Sequence, residues 1–272
     1  MLAVLLIREI LRALPLLENG QPGAVTDRTA HHPVPQLRNL IIVACHAVFT
    51  GFDYTKPEAE ESWHLLDYQR VAGQAHAFVQ HIQVGVVEAA QDPSALLLFS
   101  GGQTRKAAGP RSEAEGYWLV AEAAGWWGNG AVRDRIFTEE HARDSLENLL
   151  FSICRFFELT GHWPQHILVV GYELKQHRYV NLHRAAAKWP AERFHYLGTP
   201  AVNQGALEGE AGTIEAFRQD PYGCHGVLLE KKEARDPFAV GPYLAARCPA
   251  MAPLLSYCGR STFPGRLPWS EQ

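Results

Sequence analysis

Cationic and acidic side chains alternate over four stretches of the 272-residue chain, the first being Cys45–Lys56 after the apolar run ending at Ala44 and the second running from Ser100 to Glu113, a pairing that suits the binding of an anion beside a proton-transfer group. Ser100-Gly101-Gly102 ends an apolar run and is followed by Arg105; Arg111, Ser112 and Glu113 come next. Ser145, Glu147 and Asn148 close the polar stretch that starts at Glu139, and Lys175 and Arg178 close the stretch after Gly171. Arg105, Arg111, Lys175 and Arg178 can hold a phosphate or carboxylate, the arginines through two parallel hydrogen bonds. Glu113 and Glu147 can orient a hydroxyl, bind a ribose or serve as a general base, and Asn148 can meet a polar ligand edge or fix its own loop. Gly101 and Gly102 allow a sharp turn and a close approach of backbone to ligand, and N–H groups at a helix starting near Ser112 would favour negative charge. Quieter roles are open to the same residues. Ser112 and Ser145 suit helix caps, the glutamates complement helix dipoles, and the arginines can form surface pairs. His46, His141 and His177 are imidazoles near these clusters, and Cys45, without an activating partner in the sequence, reads as a small buried thiol.

For the clusters to meet, the runs that precede them must be strands of one sheet. Leu40–Ala44, Ala95–Ser100 and His166–Gly171 are apolar runs of the kind buried on both faces, and Arg135–Thr138 and Phe194–Leu197 are shorter, mixed segments read as two further strands. Apolar residues at helical spacing separate them over Trp63–Val87, from Ser112 to about Ala124, over Ser145–Leu159 and over Tyr179–Trp189. Ser112 with Glu115 fits a capping box. Strands alternating with helices predict a three-layer α/β/α, Rossmann-like fold with a mainly parallel sheet, whose strand-end loops converge on one crevice. The predicted organisation is an N-terminal helix and exposed connection over 1–36, the Rossmann-like domain over 37–219, and a Pro/Gly-rich extension over 220–272 packed on that domain.

Composition narrows the function classes. With 47% hydrophobic and 20% charged residues the chain reads as an ordinary globular protein, and its net charge of −4 gives no bulk attraction to nucleic acid or an anionic membrane. The apolar start Met1–Ile7 is broken by Arg8 and Glu9, which favours an amphipathic helix over a signal peptide, and no later segment is long enough to span a bilayer. Cys45, Cys154, Cys224, Cys248 and Cys258 are scattered without paired spacing, so reduced thiols in a cytoplasmic protein are expected, and no His/Asp/Glu spacing marks a metal site.

Ser-Gly-Gly at 100–102, Ser-Glu-Ala at 112–114, Ser-Leu-Glu-Asn at 145–148 and Arg178, in that order, resemble the domain of unknown function family 218, the YdcF, SanA and ElyC-like proteins of bacteria. The resemblance covers roughly Leu37 to Leu197. It implies a Rossmann-like sheet with a site built from these motifs, and S-adenosylmethionine as one candidate cofactor, since a family member has been linked to it. Two departures matter. Lys175 stands where the family often has His, and the membrane segment of the envelope-associated members is missing. The resulting expectation is a protein that binds a small anionic or nucleotide-like molecule, as a transferase or a hydrolase of phosphate esters. A non-catalytic metabolite-sensing or protein-interaction module is the alternative, and the sequence leaves the oligomeric state open.

Overall fold

Alternation along the central apolar run decides the layering. In the computed structural model, which describes residues 31–202 and 205–270, Leu40, Ile42 and Ala44 of β1 (Asn39–Ala44) join one core, while Ile41, Val43 and Cys45 join another. Successive strand side chains point to opposite faces, so a strand apolar at every position must be covered twice. The expected N-terminal helix falls within residues 1–30 and lies outside the described residues.

Five strands form the main sheet: β1, β4 (Ala95–Ser100), β5 (Ile136–Glu139), β6 (Ile167–Tyr172) and β7 (Phe194–Thr199), in the spatial order β5-β4-β1-β6-β7. All four pairings are parallel, with Leu40 opposite both Leu96 and Ile167. A small antiparallel pair, β2 (Val48–Phe49) with β3 (Trp63–His64), stands apart. Helices α1 (Gln74–Gln91) and α2 (Glu113–Ala123) cover the Ile41 face; α3 (Ser145–Thr160) covers the Leu40 face. The fold is therefore a three-layer, Rossmann-like α/β/α arrangement.

The C-terminal extension completes the Leu40 face. Tyr222, Met251, Leu254 and Trp269 are buried there against α3 and Trp189. Packing at the other end starts at Val34, whose N–H donates to the Leu159 carbonyl at 3.0 Å.

Several local expectations change. The apolar stretch from Trp63 divides: Trp63 and His64 pair with β2, a 3-10 turn follows at Asp67–Gln69, and the helix starts only at Gln74, after Gly73 turns the chain with φ 86°. Helical spacing of Leu65 and Leu66 is thus incidental to packing under the β2–β3 pair. The segment predicted as a helix from Tyr179 is a π-helical turn, Arg178–His183, followed by Arg184–Ala186. The helix α4 (Gly205–Gln219) has a weak apolar stripe and was not legible; α5 (Gly226–Ala234) lies in the extension. Finally, Cys224 and Cys258 form a disulfide with Cα atoms 5.5 Å apart, whereas Cys45, Cys154 and Cys248 are free and buried. Reduced thiols throughout were expected because the five cysteines are odd in number and scattered without paired spacing; the folding back of the extension brings Cys224 and Cys258 together across 34 residues.

Among the described residues, no helix is long and apolar enough to cross a membrane.

Candidate functional site

The strand order opens a crevice beside β1. From β1 the chain builds outward to β4 and β5, then returns to add β6 and β7 on the other side. Loops leaving β1 and its neighbour β6 must therefore diverge, and such a switch point at the carboxyl ends of strands is where open α/β sheets hold ligands. A cavity of about 490 Å³ lies there. Cys45 and His46 enter it from the β1 end, Thr104 and Arg105 from the loop after β4, and Tyr172, Lys175 and Arg178 from the segment after β6.

The glycine loop is structural where a ligand contact was expected. The N–H groups of Gly101 and Gly102 donate to the carbonyls of Glu139 and Ala142 at 3.0 and 2.8 Å. Glu113 N–H and Ala114 N–H in turn donate to the carbonyls of Gly102 and Gly101, both at 3.1 Å, and Glu115 N–H donates to Ser112 Oγ at 2.9 Å. The first turn of α2 is satisfied internally, leaving those donors committed to protein. Glycine is nevertheless required. A Cβ on Gly101 would sit 2.9 Å from Cys45 Cβ and from Glu113 Cβ, and one on Gly102 would sit 3.0 Å from the Ala142 carbonyl.

Beneath this loop Glu139 acts as a hub. It accepts from Ser100 Oγ at 2.5 Å and from the N–H groups of His141 and Ala142 at 2.7 and 3.1 Å. Asn148 donates to both the carbonyl and Oγ of Ser100 at 2.9 Å, which ties α3 to the end of β4. Burial pushes the Glu139 carboxyl up to about 7, against the lowering effect of its Ser100, His141 and Ala142 donors.

The remaining predicted residues divide between cavity and scaffold. Glu113, Arg105, Ser145, Asn148, Lys175 and Arg178 line the cavity. Ser100, Gly101, Gly102 and Ser112 are not in the lining and act through the hydrogen bonds that fix the loop, Glu139, Asn148 and the first turn of α2. Glu147 belongs to the scaffold, because Arg143 grips it at 2.7 Å and Lys232 lies 3.6 Å away. Arg111 donates to the Thr50 carbonyl at 3.2 Å and faces Phe52, on the β2 side. Ser145 is not the cap of α3. Asp144 fills that position, accepting from Glu147 N–H at 2.8 Å, and Ser145 Oγ instead meets His183 Nε2 at 2.8 Å. His141 packs on Tyr243 and His177 is exposed, so His46 is the one of the three candidate imidazoles that lines the cavity. Cys45 is buried and its thiol pushed well up by burial, then by Glu113.

Charge is unbalanced around the cavity. Six cationic side chains and three carboxylates line it; with Arg143 held by Glu147 and Asp236, and Asp144 held by Lys232, the balance is Arg105, Lys175, Arg178, Lys231 and Arg235 against Glu113 and Glu210. Arg178 pairs with Glu210 at 3.1 Å, the two side chains being 8% and 7% exposed. Its Nε has no hydrogen-bond partner, nor does Nε of Arg105. Desolvation alone makes such groups costly, so they store unused capacity to bind an anion. Lys231, Arg235 and Glu210 come from α4 and α5, beyond the segments from which the site was expected. For Lys231 and Arg235 the sequence signal was the charged run Glu230–Arg235 inside a tail otherwise rich in Pro and Gly; Glu210 lies before that tail, in the weakly patterned α4. Among the described residues, no three His, Cys, Asp or Glu side chains group to hold a metal ion.

No family model matches the chain, and no solved structure matches it. An uncharacterized protein of Saccharomyces cerevisiae is 28% identical to it over 259 residues, an alignment covering 75% of this chain and 86% of that protein.

Proposed function

We propose that the switch-point cavity binds a small anionic ligand of the nucleotide or phosphate-ester class. The excess of cations over carboxylates in a space of about 490 Å³, with the buried Nε atoms of Arg178 and Arg105 left without partners, is the observation that carries this reading. Arg offers the planar, two-pronged geometry that phosphate accepts, and in a cavity of low dielectric each contact gains strength. Tyr172, stacked on His46 at 4.8 Å, gives the same space an aromatic wall suited to a base or other flat group. The motifs that resemble family 218 support the reading in part by position, since Glu113 at the start of α2, Ser145 and Asn148 at the start of α3, and Arg178 all line this cavity.

If the ligand is turned over by hydrolysis or transfer, Glu113 is the carboxylate placed to act, because Glu147 is consumed by Arg143 and Lys232. Glu113 accepts a hydrogen bond from Thr104 and lies beside Arg105 in the lining. A thermal-shift screen against nucleotides, sugar phosphates, polyprenyl-phosphate analogues and S-adenosylmethionine tests the reading, since a ligand of the native state raises stability by mass action. Arg105→Gln is the control of choice, as it removes a cavity cation without orphaning a buried carboxylate partner. A hit that is lost in Arg105→Gln supports the site. Absence of any shift across those classes refutes it and favours an interaction module.

A further inference from the structure

We propose that Lys175 is a reactive amine, a nucleophile toward the carbonyl carbon of a small aldehyde or ketone that also carries a phosphate or carboxylate. The anionic end of that substrate rests on the cavity reading above; the amine rests on separate geometry.

The hydrogen-bond partner of Lys175 Nζ is an imidazole, His46 Nδ1, at 3.2 Å, and among the described residues no carboxylate comes within ion-pair distance. A neutral ring orients the nitrogen without the opposite charge that would hold it as an ammonium. Arg178 lies three residues on and opposes that charge, Glu210 favours it, and Arg235 and Glu113 follow with smaller effects, against and for it. Burial is the largest influence, and together these bring the amine down to about 7. The Tyr172 ring, 5.7 Å from Nζ, covers one side.

His46 is equipped to pass protons. Burial, then Lys175, pushes its pKa well below the usual value, so it stays neutral at physiological pH. Its Nε2 is buried without a partner, so a proton taken at Nδ1 is held only in transit and passed on. In the reaction, water takes one proton from the ammonium, the lone pair of the neutral amine forms the C–N bond as the carbonyl π pair moves to oxygen, and His46 relays a proton from the now cationic adduct nitrogen to that oxygen. Two of the three ammonium protons reach that oxygen in turn, which leaves as water when the nitrogen lone pair closes the C=N bond. An ammonium and a carbonyl thus give a protonated imine and one water, with no oxidant or reductant consumed. Arg178 and Arg105 would meet the anionic end.

Pyridoxal 5′-phosphate, an aldehyde bearing a phosphate, is the probe. The full chain is incubated with it at pH 7.5, reduced with sodium borohydride, digested and mapped by mass spectrometry, with Lys56 and Lys106, exposed and outside the cavity lining, as internal references. An amine near pH 7 is largely neutral there whereas an ordinary lysine is about one part in a thousand neutral, so Lys175 should be modified roughly ten to a hundred times faster. Inorganic pyrophosphate should protect it. Labelling of Lys175 no faster than that of the references overturns the reactive amine, even if pyrophosphate still raises the melting temperature and so keeps the anion reading. Rapid labelling that pyrophosphate does not slow, and that pyridoxal without its phosphate matches, keeps the amine and overturns the anionic partner.

Discussion

Replacing Glu210 by Gln should strengthen anion binding, although the change breaks a buried ion pair. Glu210 Oε2 sits 3.1 Å from Arg178 Nη2, with both side chains almost fully shielded from water. At an effective dielectric of about 20 that separation corresponds to roughly 5 kcal/mol of attraction, much of it cancelled by removing two ions from water. What remains is a charged hydrogen bond of about 1.5–3 kcal/mol, which an incoming anion must displace or share. A Gln amide oxygen still accepts from Arg178 but at about half the strength, so the relief should be about 1–1.5 kcal/mol, or roughly five- to tenfold in affinity. Isothermal titration with inorganic pyrophosphate measures it directly. Arg178→Met supplies the opposite arm: binding should weaken more than tenfold, and the orphaned carboxylate should cost about 3–5 kcal/mol of stability. Arg178→Met combined with Glu210→Gln should recover most of that stability but none of the binding, which separates folding from recognition. Burial already raises the Glu210 carboxyl, against the pull of Arg178, Lys175 and His177. Lowering the pH should therefore protonate it and strengthen binding in the native protein relative to Glu210→Gln. Unchanged or weaker binding by a cooperatively folded Glu210→Gln protein would refute the idea that this carboxylate competes with the ligand.

Two further outcomes follow from the scaffold. Glu139 has a folded pKa of about 7 against an ordinary 4.5, so the native state holds its proton more tightly than the unfolded chain does. The stability it contributes is full below about pH 4.5 and is lost as pH rises through about 7, a change of about 3 kcal/mol; urea unfolding of Glu139→Gln should show a pH profile flatter by that amount, and equal profiles would count against the assignment. Reduction of Cys224–Cys258, which closes a 34-residue separation, should lower stability by up to about 4 kcal/mol on chain-entropy grounds, read as a drop in denaturation midpoint with and without reductant.

The parts of the fold visible in the sequence are those fixed by local pattern. β1, β4 and β6 are uninterrupted apolar runs, and α3 carries a clear apolar stripe ending at Gly161. Their order alone implies the crevice. The missed parts depend on partners distant in the chain. Asp144 caps α3 although Ser145 is an equally good capping residue by type, and the choice is settled by His183, which claims the Ser145 hydroxyl from 38 residues away. Glu147 looks like a candidate base until Lys232 arrives from the extension. Arg105 and Arg178 could be named from sequence because each follows a strand; Lys231 and Arg235 could not, because their tail gave no sign that it returns to the mouth of the sheet.

That return changes what kind of site this is. With the amides of the glycine loop and the first turn of α2 all engaged by protein, recognition passes from main chain to side chains, which are mobile and open to competition by internal carboxylates. Holding them then becomes the task of the extension. Lys232 Nζ reaches Asp144 at 3.3 Å and the Tyr222 carbonyl at 2.9 Å, Arg235 donates to the Arg143 carbonyl at 3.0 Å, and the disulfide anchors the chain two residues before α5. The contacts with Asp144 and Arg143 join the wall bearing Lys231 and Arg235 to the start of α3, while the Tyr222 contact and the disulfide brace that wall within the extension. The segment after residue 220 is therefore a wall of the cavity, and a ligand bridging Arg178 to Lys231 or Arg235 would stabilise the extension and the central sheet together.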